Sequence, residues 1–213
     1  MKRLATLLFL ISVVLSTNAQ DKSAQKVLDK LSAYYTGLAS ISIDFDMIVT
    51  YPEDDPVTYA STVLQWGNKF FFKNSEYEYY GNGDDIWIYD FSRNEVQIND
   101  FEEDEAEDYF ITPLDLLNQY KSDNYEYQTA VEGREHTEIE FKPLDEFSDY
   151  SKFLIHVNKK KNEVDKIVAF GKDASRVTIE IKGHKENPSV SDQMFEFDKS
   201  KYPGVLIEDL RLD

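Results

Sequence analysis

Three histidines, His136, His156 and His184, are the residues best suited to carry protons near neutral pH in this 213-residue chain, and they stand 20 and 28 residues apart. A zinc centre draws its ligands from short, fixed spacings, so each histidine reads as an ordinary surface or core residue. The chain has no cysteine, which removes thiolate metal ligands, thiol nucleophiles and disulfides together. It also removes the residue on which a bacterial lipoprotein would carry its own lipid anchor. No Gly-x-Ser-x-Gly elbow, phosphate-cradling glycine loop or Ser-x-x-Lys set occurs. Carboxylates abound, but two of them become an acid and a base only through their geometry. The densest run, Asp100 to Asp108, lacks the Asp-x-Asp-x-Asp-Gly pattern of a calcium loop and reads as a solvated loop. The expectation is a protein that binds rather than catalyses, with no metal or cofactor.

Composition narrows what it could bind. With 23 Lys plus Arg against 41 Asp plus Glu, the formal charge is −18. A groove that tracks a phosphate backbone needs clustered cations, so nucleic acid is excluded as a partner. The same sign opposes adsorption to an anionic membrane face. Apolar residues make up 41% of the chain, with 14 Phe and 14 Tyr among them, too many for a disordered acidic polymer.

Residues 1–19 read as a secretory signal. Lys2 and Arg3 precede an apolar run from Leu4 to Leu15, followed by Ser16, Thr17, Asn18 and Ala19. That run is about twelve residues, short of the roughly twenty that span a bilayer. Cleavage after Ala19, with loss of Lys2 and Arg3, leaves 194 residues and a charge of −20. The mature part, 20–213, is expected to be one exported, periplasmic, monomeric domain.

The elements that must position any site follow from periodicity. Val27, Leu28, Leu31, Tyr34 and Tyr35 have helical spacing, with Ser23 as the predicted N-cap and Gly37 as the stop. Ile41, Ile43, Phe45, Met47, Val49 and Tyr51 then alternate with mostly polar residues, the pattern of a half-buried strand. Closely spaced β-like runs continue from Val57 to Asn99 and from Tyr125 to Lys182, divided by turns such as Gly67-Asn68 and Gly81-Asn82-Gly83-Asp84. Between them, Thr112 and Pro113 open a second predicted helix containing Leu114, Leu116, Leu117 and Tyr120. The chain is expected to be α+β: a strongly curved, incomplete antiparallel β-barrel of about 11 strands, with two or three helices covering its concave face. A sheet that large has few helices to fill it, so a partly unfilled apolar interior, hence a ligand cavity, is expected.

The order of these elements resembles the periplasmic outer-membrane lipoprotein carrier family of the LolA type. Gly83-Asp84-Asp85-Ile86-Trp87-Ile88-Tyr89-Asp90 with the hairpin Ser92 to Gln97 is similar to that family's DG-x-x-x-W-x-Y-x-P hairpin. Thr112-Pro113-Leu114-x-Leu116-Leu117 resembles its mid-chain helix. Phe195-Glu196-Phe197 followed by Pro203-Gly204-Val205 and Asp209 resembles its C-terminal ending.

The resemblance implies a non-enzymatic carrier that shields the acyl chains of lipoproteins, receives them from an inner-membrane lipoprotein-releasing transporter and delivers them to an outer-membrane acceptor. The expected lining is Ile43, Phe45, Met47 and Val49 of the first strand, Trp66, Phe70, Phe72, Trp87 and Tyr89 of the hairpins, Leu28 and Leu31 of the first helix, and Leu114 and Leu117 of the second. The chain departs from the family at its lid-latching arginine: Trp66-Gly67-Asn68-Lys69-Phe70-Phe71-Phe72-Lys73 offers only Lys69 or Lys73, which lack the bidentate fork. A half-barrel sensor or protein-interaction domain is the alternative function.

Overall fold

The structure, a computed structural model, describes residues 21–101, 117, 120, 121 and 124–211. The signal at 1–19, the acidic run beyond Phe101 and most of the predicted mid-chain helix, Leu114 included, lie outside the described residues. Of that helix, Leu117 is helical and buried, and Tyr120 is buried beside it in the core.

Helix α1 spans Lys22–Thr36. Its N-cap is Asp21, not Ser23: the Asp21 carboxylate accepts from the Ser23 N–H at 2.7 Å. Aspartate satisfies an open amide of the first turn and places negative charge at the positive end of the helix dipole, so the helix starts before the serine. Gly37 ends it, in an ordinary right-handed conformation. The other Asp21 oxygen accepts from the Thr129 N–H at 2.8 Å, tying the helix to the sheet. These bonds, the Thr129 amide first, hold the Asp21 carboxyl down at about 2. A depressed carboxylate stabilises the fold above its ordinary pKa and loses that contribution as pH falls from about 4 to about 2. Asp21→Ala is therefore expected to lose about 1 kcal/mol in urea unfolding at pH 7, a difference that shrinks as the wild type is titrated through that window.

Twelve strands follow: β1 (Ile41–Thr50), β2 (Val57–Trp66), β3 (Lys69–Lys73), β4 (Tyr77–Gly81), β5 (Asp85–Asp90), β6 (Glu95–Asp100), β7 (Tyr125–Glu132), β8 (His136–Pro143), β9 (Tyr150–Asn158), β10 (Glu163–Gly171), β11 (Arg176–Glu186) and β12 (Leu206–Asp209). They form one sheet in the order β12-β6-β5-β4-β3-β2-β1-β11-β10-β9-β8-β7. All neighbours pair antiparallel except β12, which runs parallel to β6. Phe195-Glu196-Phe197, which reads as strand-like, instead follows from a 3-10 turn, Asp192–Phe195, with a second turn at Lys199–Lys201.

One core cluster joins α1 to β1, β2, β3, β7, β8, β9, β10 and β11. Eight flat strands would span about 34 Å, whereas a 15-residue helix is only about 22 Å long. The sheet must therefore curl round the helix, and it does so as an open, incomplete barrel. Among the described residues one complete α-helix, α1, lies on its inner face, fewer than the two or three expected, with helical Leu117 buried beside it, and no described helix is long and apolar enough to cross a membrane.

Candidate functional site

Paired residues of an antiparallel ladder share a face, so the register sorts the predicted lining. Starting from Ile43 and Phe45, which pack with Leu28 and Leu31 of α1, the pairings run Ile43 to Val63, Val63 to Phe72, Phe72 to Tyr79 and Tyr79 to Ile88. In the other direction Phe45 opposes Ile181, and Met47 opposes Ile179, which opposes Ile167. Leu28, Leu31, Ile43, Phe45, Met47, Phe72 and Leu117 thus meet in the cluster under α1. Val49 pairs with Val57 and Val177 on the same face. Phe70 is also inward; its ring lies over Gly81, where an added Cβ would approach to 2.3 Å, so only glycine leaves it room.

Trp66, Trp87 and Tyr89 do not join them. Trp87 pairs with Tyr80, and Tyr89 with Glu78, on the outer face. The C-terminal segment covers that side: Phe195 packs on Trp66 with ring centroids 6.1 Å apart, while Phe197 and Tyr202 stack on Tyr89 at 5.6 and 4.4 Å. Beneath it Glu78 is 3% exposed, accepting from Lys73 Nζ at 2.6 Å, from the Tyr80 hydroxyl at 2.9 Å and from Tyr202. Burial would raise its pKa, but these donors outweigh that and hold the carboxyl below its ordinary range. These aromatic residues therefore act as packing between the sheet and its own C-terminal strap.

Neither stand-in for the family's arginine reaches α1. Lys73 is engaged by Glu78, and Lys69 by Asp192. The helix is held by other groups. The Tyr34 hydroxyl donates to Glu186 Oε1 at 2.7 Å and lies 3.1 Å from His184 Nε2, and the Tyr35 hydroxyl accepts from the Val164 N–H at 3.2 Å. Asn162 Nδ2 donates to the Lys30 carbonyl at 3.0 Å, and the Tyr120 hydroxyl donates to Asp29 at 2.8 Å. His136 and His156 line one open pocket with Glu138 and Asp165, and His184 stands apart against α1. His136 sits 3.2 Å from Asp165, His156 3.2 Å from Glu138 and His184 3.2 Å from Glu163. Among the described residues no group of three or more His, Cys, Asp or Glu could hold a metal ion.

Burial along the inner face is uneven. Beneath α1 the face is packed: Leu28, Leu31, Ile139 and Ile155 are inaccessible. Near the turn that joins β1 to β2, and on β4, the inward residues are half-buried: Met47, Val49, Tyr59, Tyr77, Tyr79, Tyr150 and Val177, then Val57 at 47% and Tyr51 at 52% exposure, whereas Ala169, Phe153 and Phe141 in the same cross-strand row as Val49 are buried. This half-covered apolar opening is the candidate binding surface. Met47 and Val49 of the predicted lining lie in it, whereas Leu28, Leu31, Ile43, Phe45 and Phe72 are core beneath it. Tyr59, Tyr77, Tyr79, Tyr150 and Val177 escape the sequence reading, although Tyr77 and Tyr79 share one parity in β4 and so must share a face.

An open half-barrel with an apolar inner face and a helix lying on it is the architecture of a binding fold. The chain belongs to the family described as outer membrane lipoprotein carrier protein LolA, whose family model matches residues 73–198. Its fold is similar to that of an uncharacterized conserved protein from Thermus thermophilus, with a TM-score of 0.57 at 8% identity over 88% of this chain and 99% of that one. A LolA superfamily protein from Nitrosomonas europaea gives a TM-score of 0.45 at 14% identity over 82% of this chain and 97% of that one. An outer membrane lipoprotein-sorting protein domain, described as putative, from Vibrio parahaemolyticus gives 0.40 at 12% identity over 81% and 97%. No curated protein matches the chain.

Proposed function

We propose that this protein is a non-enzymatic periplasmic carrier, exported by the signal at 1–19, that shelters the acyl chains of a lipoprotein on the open end of its inner face during transfer to the outer membrane. The observation that carries this reading is the uneven burial of a continuous apolar face, packed beneath α1 and half-covered by tyrosine, valine and methionine around the β1–β2 turn. Exposing acyl chains to water costs about 0.8 kcal/mol per methylene, so three chains of about 15 methylenes cost on the order of 35 kcal/mol. Transfer without a shelter would be negligibly slow. A carrier must also release its cargo, and half-covered contacts serve that better than a closed pocket. An inner-membrane lipoprotein-releasing transporter would load it and an outer-membrane acceptor unload it.

The test is to purify the protein from its own host without detergent and weigh the complexes by native mass spectrometry. Co-purifying triacylated polypeptide is the expected result. A protein that is always free of acyl groups, or that carries a non-acylated polypeptide on the same face, overturns the carrier reading.

A further inference from the structure

The described turns at the two ends of the half-barrel differ in charge. At the open end the turns joining β1 to β2 (51–56), β3 to β4 (74–76), β5 to β6 (91–94), β8 to β9 (144–149) and β10 to β11 (172–175) come together. They carry eight carboxylates, Glu53, Asp54, Asp55, Glu76, Asp145, Glu146, Asp149 and Asp173, against Arg93 and Lys172. The turns at the opposite end, 67–68, 82–84, 133–135 and 159–162, carry Arg134, Lys159, Lys160 and Lys161 against Asp84 and Glu135. The opening thus carries a net negative rim among the described turns.

These carboxylates sit beside the apolar surface. The Tyr59 hydroxyl is raised by burial and then by Glu76, and that of Tyr150 by burial and then by Asp149 and Asp173. Of the two cations, Lys172 is engaged through Nζ by the Glu146 carbonyl at 2.6 Å and Arg93 by Asp90 at 3.5 Å. An acyl chain lying on Met47, Val49 and Val177 would leave its polar end among the carboxylates. In water-like surroundings each unit charge about 10 Å away contributes about 0.4 kcal/mol, and several add.

We propose that the rim of the opening selects cargo by charge, accepting an acyl chain borne on a cationic peptide in preference to the same chain on an anionic group. Free acidic phospholipid is thereby disfavoured. The inference rests on the carrier reading, and the test separates the two.

Three palmitoylated peptides of one length and one fluorophore, with Lys-Lys, Asn-Asn or Glu-Glu next to the acylated residue, are titrated into the full protein. At about 20 mM salt the Lys peptide is expected to bind about tenfold more tightly than the Glu peptide, with the Asn peptide between. At about 500 mM salt the spread should fall below about threefold, because exposed charges are screened. Combined Glu76→Gln, Asp149→Asn and Asp173→Asn should shrink the low-salt ratio to about threefold with the Asn peptide's affinity unchanged. Asp84→Asn with Glu135→Gln, at the other end, should leave the ratio intact. A flat or inverted ranking, or one that the open-end substitutions leave intact, overturns charge selection while leaving the carrier reading standing. Failure of all three peptides to bind overturns both.

Discussion

Met47→Glu is expected to lower the affinity for a fluorescent fatty acid at least tenfold, with the protein still folded, whereas Trp87→Glu leaves the affinity of the folded fraction unchanged. Both residues belong to the aromatic and apolar set that the sequence singles out, and the register separates them. Met47 opposes Tyr59 and Ile179 on the inner face, half-covered. A carboxylate there must either lose water when the acyl chain arrives or prevent its arrival, a penalty above the roughly 1.4 kcal/mol that corresponds to tenfold. In the unliganded protein the same carboxylate stays partly hydrated, so the thermal midpoint should move by only a few degrees. Trp87 packs with Tyr89, Val96 and the C-terminal residues Phe197, Tyr202 and Val205 on the far side of the sheet. Its replacement should cost about 2 kcal/mol of stability and nothing in binding. Equilibrium titration and urea unfolding of the same two variants decide the matter, with Met47→Leu restoring the affinity.

Phe141→Ala is expected to be the most destabilising single truncation, by about 3 to 5 kcal/mol. The side chain is inaccessible, ringed by Tyr127 at 5.6 Å, Tyr125 at 6.3 Å and its cross-strand partner Phe153. It stands in the packed part of the inner face, where neighbours on β7 and β9 would have to move to close the void. A domain with about 5 to 15 kcal/mol in hand loses a large share of it. Val49→Ala, in the same cross-strand row of the inner face, should cost less than about 1.5 kcal/mol, since that side chain is only half-buried. Comparable losses at both positions in urea unfolding would contradict this difference in burial.

Much of the sheet is written in the chain. β2 begins at Val57 and ends at Trp66, where alternation and the Gly67-Asn68 turn place it. Helix α1 is legible from Val27, Leu28, Leu31 and Tyr35, because an amphipathic stripe needs no tertiary information. The face on which each aromatic residue falls is harder to read, because it depends on a chain of registers. The β2–β3 pairing sets Val63 opposite Phe72 and the β4–β5 pairing sets Tyr79 opposite Ile88, each switching the inward parity, so odd residues point inward in β2 and even ones in β3 and β5. Counting through those turns puts Trp66, Trp87 and Tyr89 outside. The count fails where a bulge intervenes, as between Asp44 and Phe45 against β11 or between Thr129 and Val131 against β8, and bulges leave little trace in composition. The parallel β12 is hidden for another reason: a four-residue strand of exposed side chains has no apolar alternation to betray it. The C-terminal aromatic residues that precede it read as family-like, while their role, closing the outer face over Glu78 and Tyr89, emerges only once the sheet is assembled.

The most direct measurement is photo-crosslinking of the intact protein with a palmitic acid carrying a diazirine near its tail, followed by mapping of the adducts. Labelling of Met47, Val49, Tyr79, Tyr150 or Val177, suppressed by excess palmitate, is the expected result. Labelling that palmitate does not suppress, or that falls on the outer cluster of Trp87, Phe197 and Tyr202, would contradict an acyl-binding inner face.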